Sequence, residues 1–152
     1  MGGDNFISTL FKVFGGVIIL LVVGLIIFNA LKVEYGYNDF QHLSNFQAID
    51  DMPEDQYLVY YYGENCGHCT LIKEQVLRFA NKNEAGIKVY LMDSANTSGV
   101  NTVVHPDTGK EMTGTPSMIT VVDGVIVDLN VGSEAIPELL DAINEGTYTE
   151  IN

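Results

Sequence analysis

The 152-residue sequence contains only two cysteines, Cys66 and Cys69, which are separated by Gly67 and His68. Neither a second Cys-x-x-Cys pair nor a His-x-x-x-His motif follows, which argues against a zinc site. The attachment of c-type haem is excluded because Thr70, and not histidine, comes directly after the second cysteine. A purely structural disulfide is also disfavoured, because this spacing closes a loop too short to constrain much of the unfolded chain.

Basic residues are also scarce, since seven Lys and Arg stand against 20 Asp and Glu and give a formal net charge of −13. The chain as far as Glu34 adds nothing to this charge, because Asp4 and Glu34 offset Lys12 and Lys32. The rest of the chain therefore carries the whole net negative charge. This argues against binding to nucleic acid or to anionic lipid, and it favours cationic peptides as substrates.

One long apolar run, from Val13 to Leu31, contains no charged residue and only Asn29 as a polar side chain. At about 1.5 Å per helical residue, it covers most of the roughly 30 Å hydrocarbon core of a bilayer. The run is longer than the apolar region of a signal peptide, and Phe28-Asn29-Ala30 is a poor cleavage site. We therefore predict a short N-terminal tail (1–12) and an uncleaved transmembrane helix (13–31).

Residues 32–55 are predicted to form a linker and a short amphipathic helix, because apolar residues recur at spacings of three from Phe40 to Ile49. The residues after it alternate between strand and helix patterns, and they lead to a polar tail at 146–152. Asp123-Gly124 is typical of a two-residue hairpin turn, and Ser133 is expected to cap the last helix. The predicted elements are strands 57–62, 87–92, 117–122 and 125–131, a helix to about 81, and a final helix to 143.

The two cysteines lie in a turn between the first strand and the first helix of this pattern. Unpaired N–H groups and the helix dipole favour an anion there, so Cys66 should ionise more easily than free cysteine and attack disulfides. Cys69, one turn further on, is the expected resolving thiol. His68 can attract the Cys66 thiolate, which stabilises the dithiol and makes the disulfide a stronger oxidant.

Residues 58–69, together with Gly114-Thr115-Pro116, resemble the thioredoxin family, and the Cys-Gly-His-Cys motif is similar to protein disulfide isomerase active sites. The resemblance implies a thioredoxin-like α/β fold over about 56–145, with a central mixed sheet flanked by helices. It implies a cis Pro116 that faces the disulfide, and it makes Thr115, Pro116, Gly67 and Gly132 the substrate-peptide contacts. No cofactor and no metal are predicted.

Three positions depart from the family pattern. Tyr60 stands where a buried acidic residue usually accepts the proton of the resolving thiol, and Glu64 is a possible substitute. Asn65 replaces a common tryptophan, and Glu74 replaces a helix-kinking proline.

Residues 94–113 also lack the usual helix of the family. Their sequence predicts a turn or small hairpin that Pro106 opens and Gly109 closes. This segment could contact a specific partner or be a plain surface loop.

These features predict a membrane-anchored thiol-disulfide oxidoreductase, with oxidase or isomerase activity preferred to reductase activity. We expect a single-pass bacterial membrane protein with a cytoplasmic N-terminus and an extracytoplasmic domain, because disulfide chemistry suits an oxidising compartment. Its partners would be cysteine-containing secreted or surface polypeptides and a membrane redox partner. Two alternatives stay open: an accessory protein for the export or disulfide formation of one secreted peptide, such as a bacteriocin, or a non-enzymatic zinc or scaffold module using His42, His68 or His105.

Overall fold

The computed structural model describes residues 3–30, 33–97, 103–105, 107–109 and 111–151, with the side chains of 3–11, 27–30 and 50 left out. The chain divides into two compact units, Met1–Glu34 and Tyr35–Asn152. The first unit contains helix α1, Gly3–Ala30. Its described large apolar side chains between Val13 and Ile26 are exposed.

Within the described residues, no helix combines the length and hydropathy that crossing a membrane requires. The transmembrane helix at 13–31 therefore stays a prediction.

The described part of the second unit contains a mixed four-stranded sheet, two α-helices and two short 3-10 helices. Strand β1 lies beside β2 in parallel, and β3 runs antiparallel to both β1 and β4, which gives the order β2-β1-β3-β4. This is the mixed sheet with flanking helices that the resemblance implies. The elements are β1 (Gln56–Tyr62), α2 (Gly67–Asn81), β2 (Lys88–Asp93), β3 (Ser117–Val122), β4 (Val125–Val131) and α3 (Ala135–Asn144).

Strand β1 lies inside the sheet, between β2 and β3, and both of its faces are buried. Successive side chains of a strand point to opposite faces, so Leu58 and Tyr60 join one apolar cluster while Tyr57 and Val59 join another. The first cluster includes the inner faces of α2 and α3. Two-sided burial fixes the register of β1, because a shift by one residue would exchange the two sets of side chains.

Residues 40–49 do not form the amphipathic helix expected from their apolar spacing. Two short 3-10 helices, Tyr37–Asp39 and Phe46–Asp51, flank an extended segment at 41–43. The N–H of Leu43 donates to the Leu91 carbonyl at 2.8 Å, and the N–H of Leu91 donates to the Gln41 carbonyl at 2.9 Å. The segment thus satisfies the outer edge of β2, whose backbone groups would otherwise lack partners.

The predicted β3–β4 turn forms as expected, and so does the described part of the turn that Gly109 is predicted to close. Asp123 and Gly124 both have positive φ, at 50° and 73°, which is the conformation of a tight β3–β4 hairpin turn. Among the described residues between 103 and 112, Val104 bridges Glu111 and the N–H of Met112 donates to the Val103 carbonyl at 2.8 Å, which is the pairing of a small hairpin (the 103–112 hairpin). Gly109 closes its turn with φ 65°, while Pro106 lies outside the described residues.

The segment predicted as a polar tail at 146–152 is partly packed on the domain. The Tyr148 hydroxyl lies 2.8 Å from Asp128 Oδ2, and Ile151 packs against the cluster that contains α2 and α3. Asp128 also lies 3.3 Å from His105 Nε2, so it connects the 103–112 hairpin, β4 and the C-terminal segment.

Candidate active site

The two cysteines lie where β1 passes into α2. Cys66 is the N-cap residue of α2, and its Sγ accepts a hydrogen bond from the Cys69 N–H at 3.1 Å. The two residues form a disulfide. Cys66 is half-buried whereas Cys69 is fully buried. An external thiolate can therefore reach the Cys66 sulfur, which is the asymmetry expected of an attacking and a resolving cysteine.

The segment before β3 lies against the Cys66 sulfur. The Thr115–Pro116 peptide bond is cis, as the resemblance implies. The carbonyl oxygen of Thr115 lies 3.5 Å from Cys66 Sγ. Because Cys66 and Thr115 are far apart in the sequence, this contact depends on the pairing of β1 with β3.

Gly63 allows this close approach, and no local sequence pattern points to this glycine. A Cβ atom at Gly63 would lie 3.0 Å from Ser94 Oγ, 3.5 Å from Cys66 Cβ and 3.6 Å from Thr115 Oγ1. The N–H of Cys66 also donates to the Gly63 carbonyl at 3.1 Å. The glycine therefore packs the strand end against both the disulfide and the proline segment.

A groove of about 420 Å³ lies beside the disulfide. Four predicted site residues line it: His68, Thr115, Pro116 and Gly132. The N–H of Gly132 donates to the Pro116 carbonyl at 2.9 Å. This bond joins the wall of the groove that contains Gly132 to the wall that contains Pro116, the proline wall. Gly67 is exposed at the start of α2, where an added Cβ would meet nothing within 4 Å.

Ser133 does not cap α3. The N-cap residue is Glu134, which makes no side-chain capping bond. The Ser133 hydroxyl instead lies 3.0 Å from His68 Nδ1, across the groove.

Tyr60 does not replace the buried carboxylate of the family pattern as a proton acceptor. Its side chain is fully buried in the apolar cluster that also contains Cys69, and its hydroxyl has no hydrogen-bond partner in the described part of the chain. Burial raises the pKa of the Tyr60 phenol far above its ordinary value, with Tyr37 adding to the shift. The phenol therefore stays protonated and cannot accept the proton of Cys69 as a carboxylate would.

Glu64 is exposed and does not provide a buried acceptor. It lines a separate cavity of about 310 Å³ with His42, Tyr62 and Asp93.

The histidines of the zinc alternative have other partners. His42 Nε2 lies 3.0 Å from the Tyr62 hydroxyl, and His105 pairs with Asp128. In the part of the chain that the structure describes, no three His, Cys, Asp or Glu side chains are grouped to hold a metal ion.

A scan against protein families matches the thioredoxin family over residues 40–145. The chain belongs to the thioredoxin family. The match begins before the boundary predicted at residue 56, in agreement with the pairing of residues 41–43 on β2. The chain is therefore a thioredoxin-like thiol-disulfide oxidoreductase with a Cys-x-x-Cys motif.

Solved thioredoxins share the fold at low sequence identity. Mitochondrial thioredoxin 3 of Saccharomyces cerevisiae is 18% identical, with a TM-score of 0.54 over 72% of this chain and 97% of the yeast chain. Malassezia sympodialis thioredoxin is 20% identical, with a TM-score of 0.53 over 70% and 91% of the two chains. Plasmodium falciparum thioredoxin is 17% identical, with a TM-score of 0.53 over 71% and 99%. A search of curated proteins found no match.

Proposed function

We propose that this thioredoxin-family protein is a membrane-anchored oxidant or isomerase of extracytoplasmic proteins. The observation that carries the proposal is the half-buried Cys66 sulfur at the start of α2, beside a groove that His68, Thr115 and Pro116 line. An extended peptide lying in this groove would bring its own cysteine to Cys66. The acidic chain favours substrates with basic residues near that cysteine.

Oxidation of a substrate dithiol would proceed by two exchanges. A substrate thiolate attacks Cys66 Sγ, which forms a mixed disulfide and releases Cys69 as a thiolate that takes up a proton. The second substrate thiolate then attacks the substrate sulfur of the mixed disulfide and releases the Cys66 thiolate. The substrate gains one disulfide and the protein keeps the two electrons. A membrane partner that itself carries an oxidised disulfide would accept these electrons and reset the pair.

Two features favour the oxidising direction. The helix start and His68 stabilise the Cys66 thiolate, and a stabilised thiolate favours the dithiol over the disulfide. Tyr60 adds no negative charge beneath α2, whereas a carboxylate there would repel the thiolate. Both effects make the disulfide easier to reduce, and so a stronger oxidant.

The anchor proposal rests on the uncharged run from Val13 to Leu31 and on exposed apolar side chains along α1, such as Leu20 and Leu21. Such side chains are unfavourable in water and favourable in a lipid core. A cytoplasmic N-terminus would put the domain in an oxidising compartment.

Equilibration with glutathione tests the direction of the reaction, and cysteine labelling of intact cells tests the sidedness. We expect a reduction potential between about −180 and −120 mV, together with the refolding of reduced ribonuclease. A potential near about −270 mV would indicate a reductase instead. Labelling of reduced Cys66 by an impermeant reagent would support the extracytoplasmic location, and labelling only after lysis would contradict it.

The hairpin at 103–112 favours a second candidate, an accessory protein dedicated to one secreted peptide. The hairpin leads directly into Thr113, which lines the groove. In a Cys69→Ser variant, the Cys66 thiolate can attack a substrate disulfide, and the mixed disulfide that forms lacks the resolving cysteine that would release it, so the variant should trap its substrates. Many trapped polypeptides would support a general catalyst, whereas a single trapped peptide would support the dedicated protein.

A further inference from the structure

The imidazole of His68 is held by a residue from a distant part of the chain. Its Nδ1 lies 3.0 Å from the hydroxyl oxygen of Ser133, which is 65 positions further along. Ser133 follows Gly132, whose N–H donates to the Pro116 carbonyl at 2.9 Å. The serine is thereby fixed to the proline wall of the groove, while His68 belongs to the first turn of α2.

We propose that Ser133 is a positioning residue, which holds the His68 imidazole at the groove so that the imidazole stabilises the Cys66 thiolate. This role rests on the proposed function of Cys66 as the cysteine that exchanges disulfides with the substrate. It does not depend on the direction of the exchange or on the membrane anchor.

A hydroxyl group is suited to this task because it can both donate and accept a hydrogen bond. It can donate to Nδ1 of a neutral imidazole and accept from Nδ1–H of a protonated one. The contact therefore survives a change in the charge of His68. Without it, the exposed His68 side chain would be free to adopt other rotamers in solvent, away from the thiolate.

The contact should be stronger in the reduced protein than in the disulfide form. Only the reduced protein has a thiolate at Cys66 for a protonated imidazole to face. Hydrogen bonds to charged groups are stronger than those between neutral groups. Ser133 therefore stabilises the dithiol more than the disulfide, and its loss should favour the disulfide.

Ser133 can be tested without disturbing a helix cap. Helix α3 takes Glu134 as its N-cap residue and uses no side-chain capping bond. The Ser133→Ala change removes the hydroxyl from the His68 contact and leaves the backbone of the turn unchanged. Ser133→Thr keeps a hydroxyl at the same place.

The experiment compares the full-length variants in detergent during equilibration with glutathione. In this reaction two glutathione thiols lose two electrons and two protons to the protein disulfide, which yields glutathione disulfide and the dithiol. We expect Ser133→Ala to lower the equilibrium constant for reduction by about two- to threefold, the lower end of the effect of one hydrogen bond. The alkylation rate of Cys66 near neutral pH should fall with it, and Ser133→Thr should restore both.

A double-mutant comparison separates positioning from a general structural effect. In a His68→Ala background, Ser133→Ala should change neither measurement further. Ser44→Ala is the matched control, because Ser44 is an exposed serine whose hydroxyl accepts a bond from its neighbour Asn45. It should leave the equilibrium unchanged.

Three results would each overturn the proposal: no shift in Ser133→Ala, an equal shift in the His68→Ala background, or failure of Ser133→Thr to restore the wild-type value. The wild-type potential alone decides whether the protein is an oxidant. The ratio between variants decides the role of Ser133, so the two conclusions can fail separately.

Discussion

Replacing Tyr60 with phenylalanine should stabilise the folded protein. The Tyr60 side chain is 0% exposed, and its hydroxyl completes no hydrogen bond of good geometry within the described residues, although the Tyr37 hydroxyl lies near enough to shift its pKa. An unpaired buried hydroxyl costs about 1–3 kcal/mol. Phenylalanine removes the hydroxyl and keeps the ring, which stacks on Tyr62 at 5.8 Å between centroids. Because the missing oxygen leaves a small void, we expect the free energy of unfolding to rise by only about 1 kcal/mol.

Urea denaturation of the oxidised protein measures this change. The midpoint of Tyr60→Phe should rise while the denaturant slope stays constant. Tyr148→Phe is the matched control, because the Tyr148 hydroxyl lies 2.8 Å from Asp128 Oδ2 and 3.2 Å from Thr120 Oγ1. Its loss should lower the free energy of unfolding by about 1.5–3 kcal/mol. A comparable loss in Tyr60→Phe would refute the reasoning, since the Tyr60 hydroxyl would then have a stabilising partner.

Two further changes test the turn at Gly132 and the contacts of Asp128 by the same denaturation experiment. Gly132→Ala should lower the free energy of unfolding by about 1–2 kcal/mol, because Gly132 has φ 105°, whereas Gly67→Ala should be nearly neutral. Asp128→Asn should lower it by about 1–3 kcal/mol, because donors surround both carboxylate oxygens and an amide NH2 cannot accept from them. Asp123→Asn, at a turn position with φ 50° that favours asparagine, is the control and should have little effect. Equal losses in either pair would contradict these assignments.

The strands, the helices and the disulfide site could be predicted from local patterns. Strand β1 is a continuous β-branched and aromatic run because it is buried on both faces. The β3–β4 turn follows from Asp123-Gly124, since few other pairs accept positive φ at both positions. The cysteine pair was identifiable because its spacing and its place before a helix are both local features.

The features that the sequence did not predict depend on distant partners. The apolar spacing of residues 40–49 is compatible with a helix, but the open edge of β2 pairs with residues 41–43 instead. Serine is a common N-cap residue and Ser133 stands just before α3, yet its hydroxyl contacts His68, from α2. The tight space at position 63 comes from the Ser94 hydroxyl, 3.0 Å from where a Cβ would lie, and no local pattern connects Ser94 to Gly63.

The ionisation of Cys66 tests the account most directly. In the reduced Cys69→Ser variant, the pH dependence of alkylation measures the thiolate fraction of Cys66 alone. The helix start and the neighbouring His68 predict a midpoint at or below about pH 7, in the range of reactive Cys-x-x-Cys thiols. A midpoint near about pH 8.5, the value of free cysteine, would contradict Cys66 as the activated nucleophile.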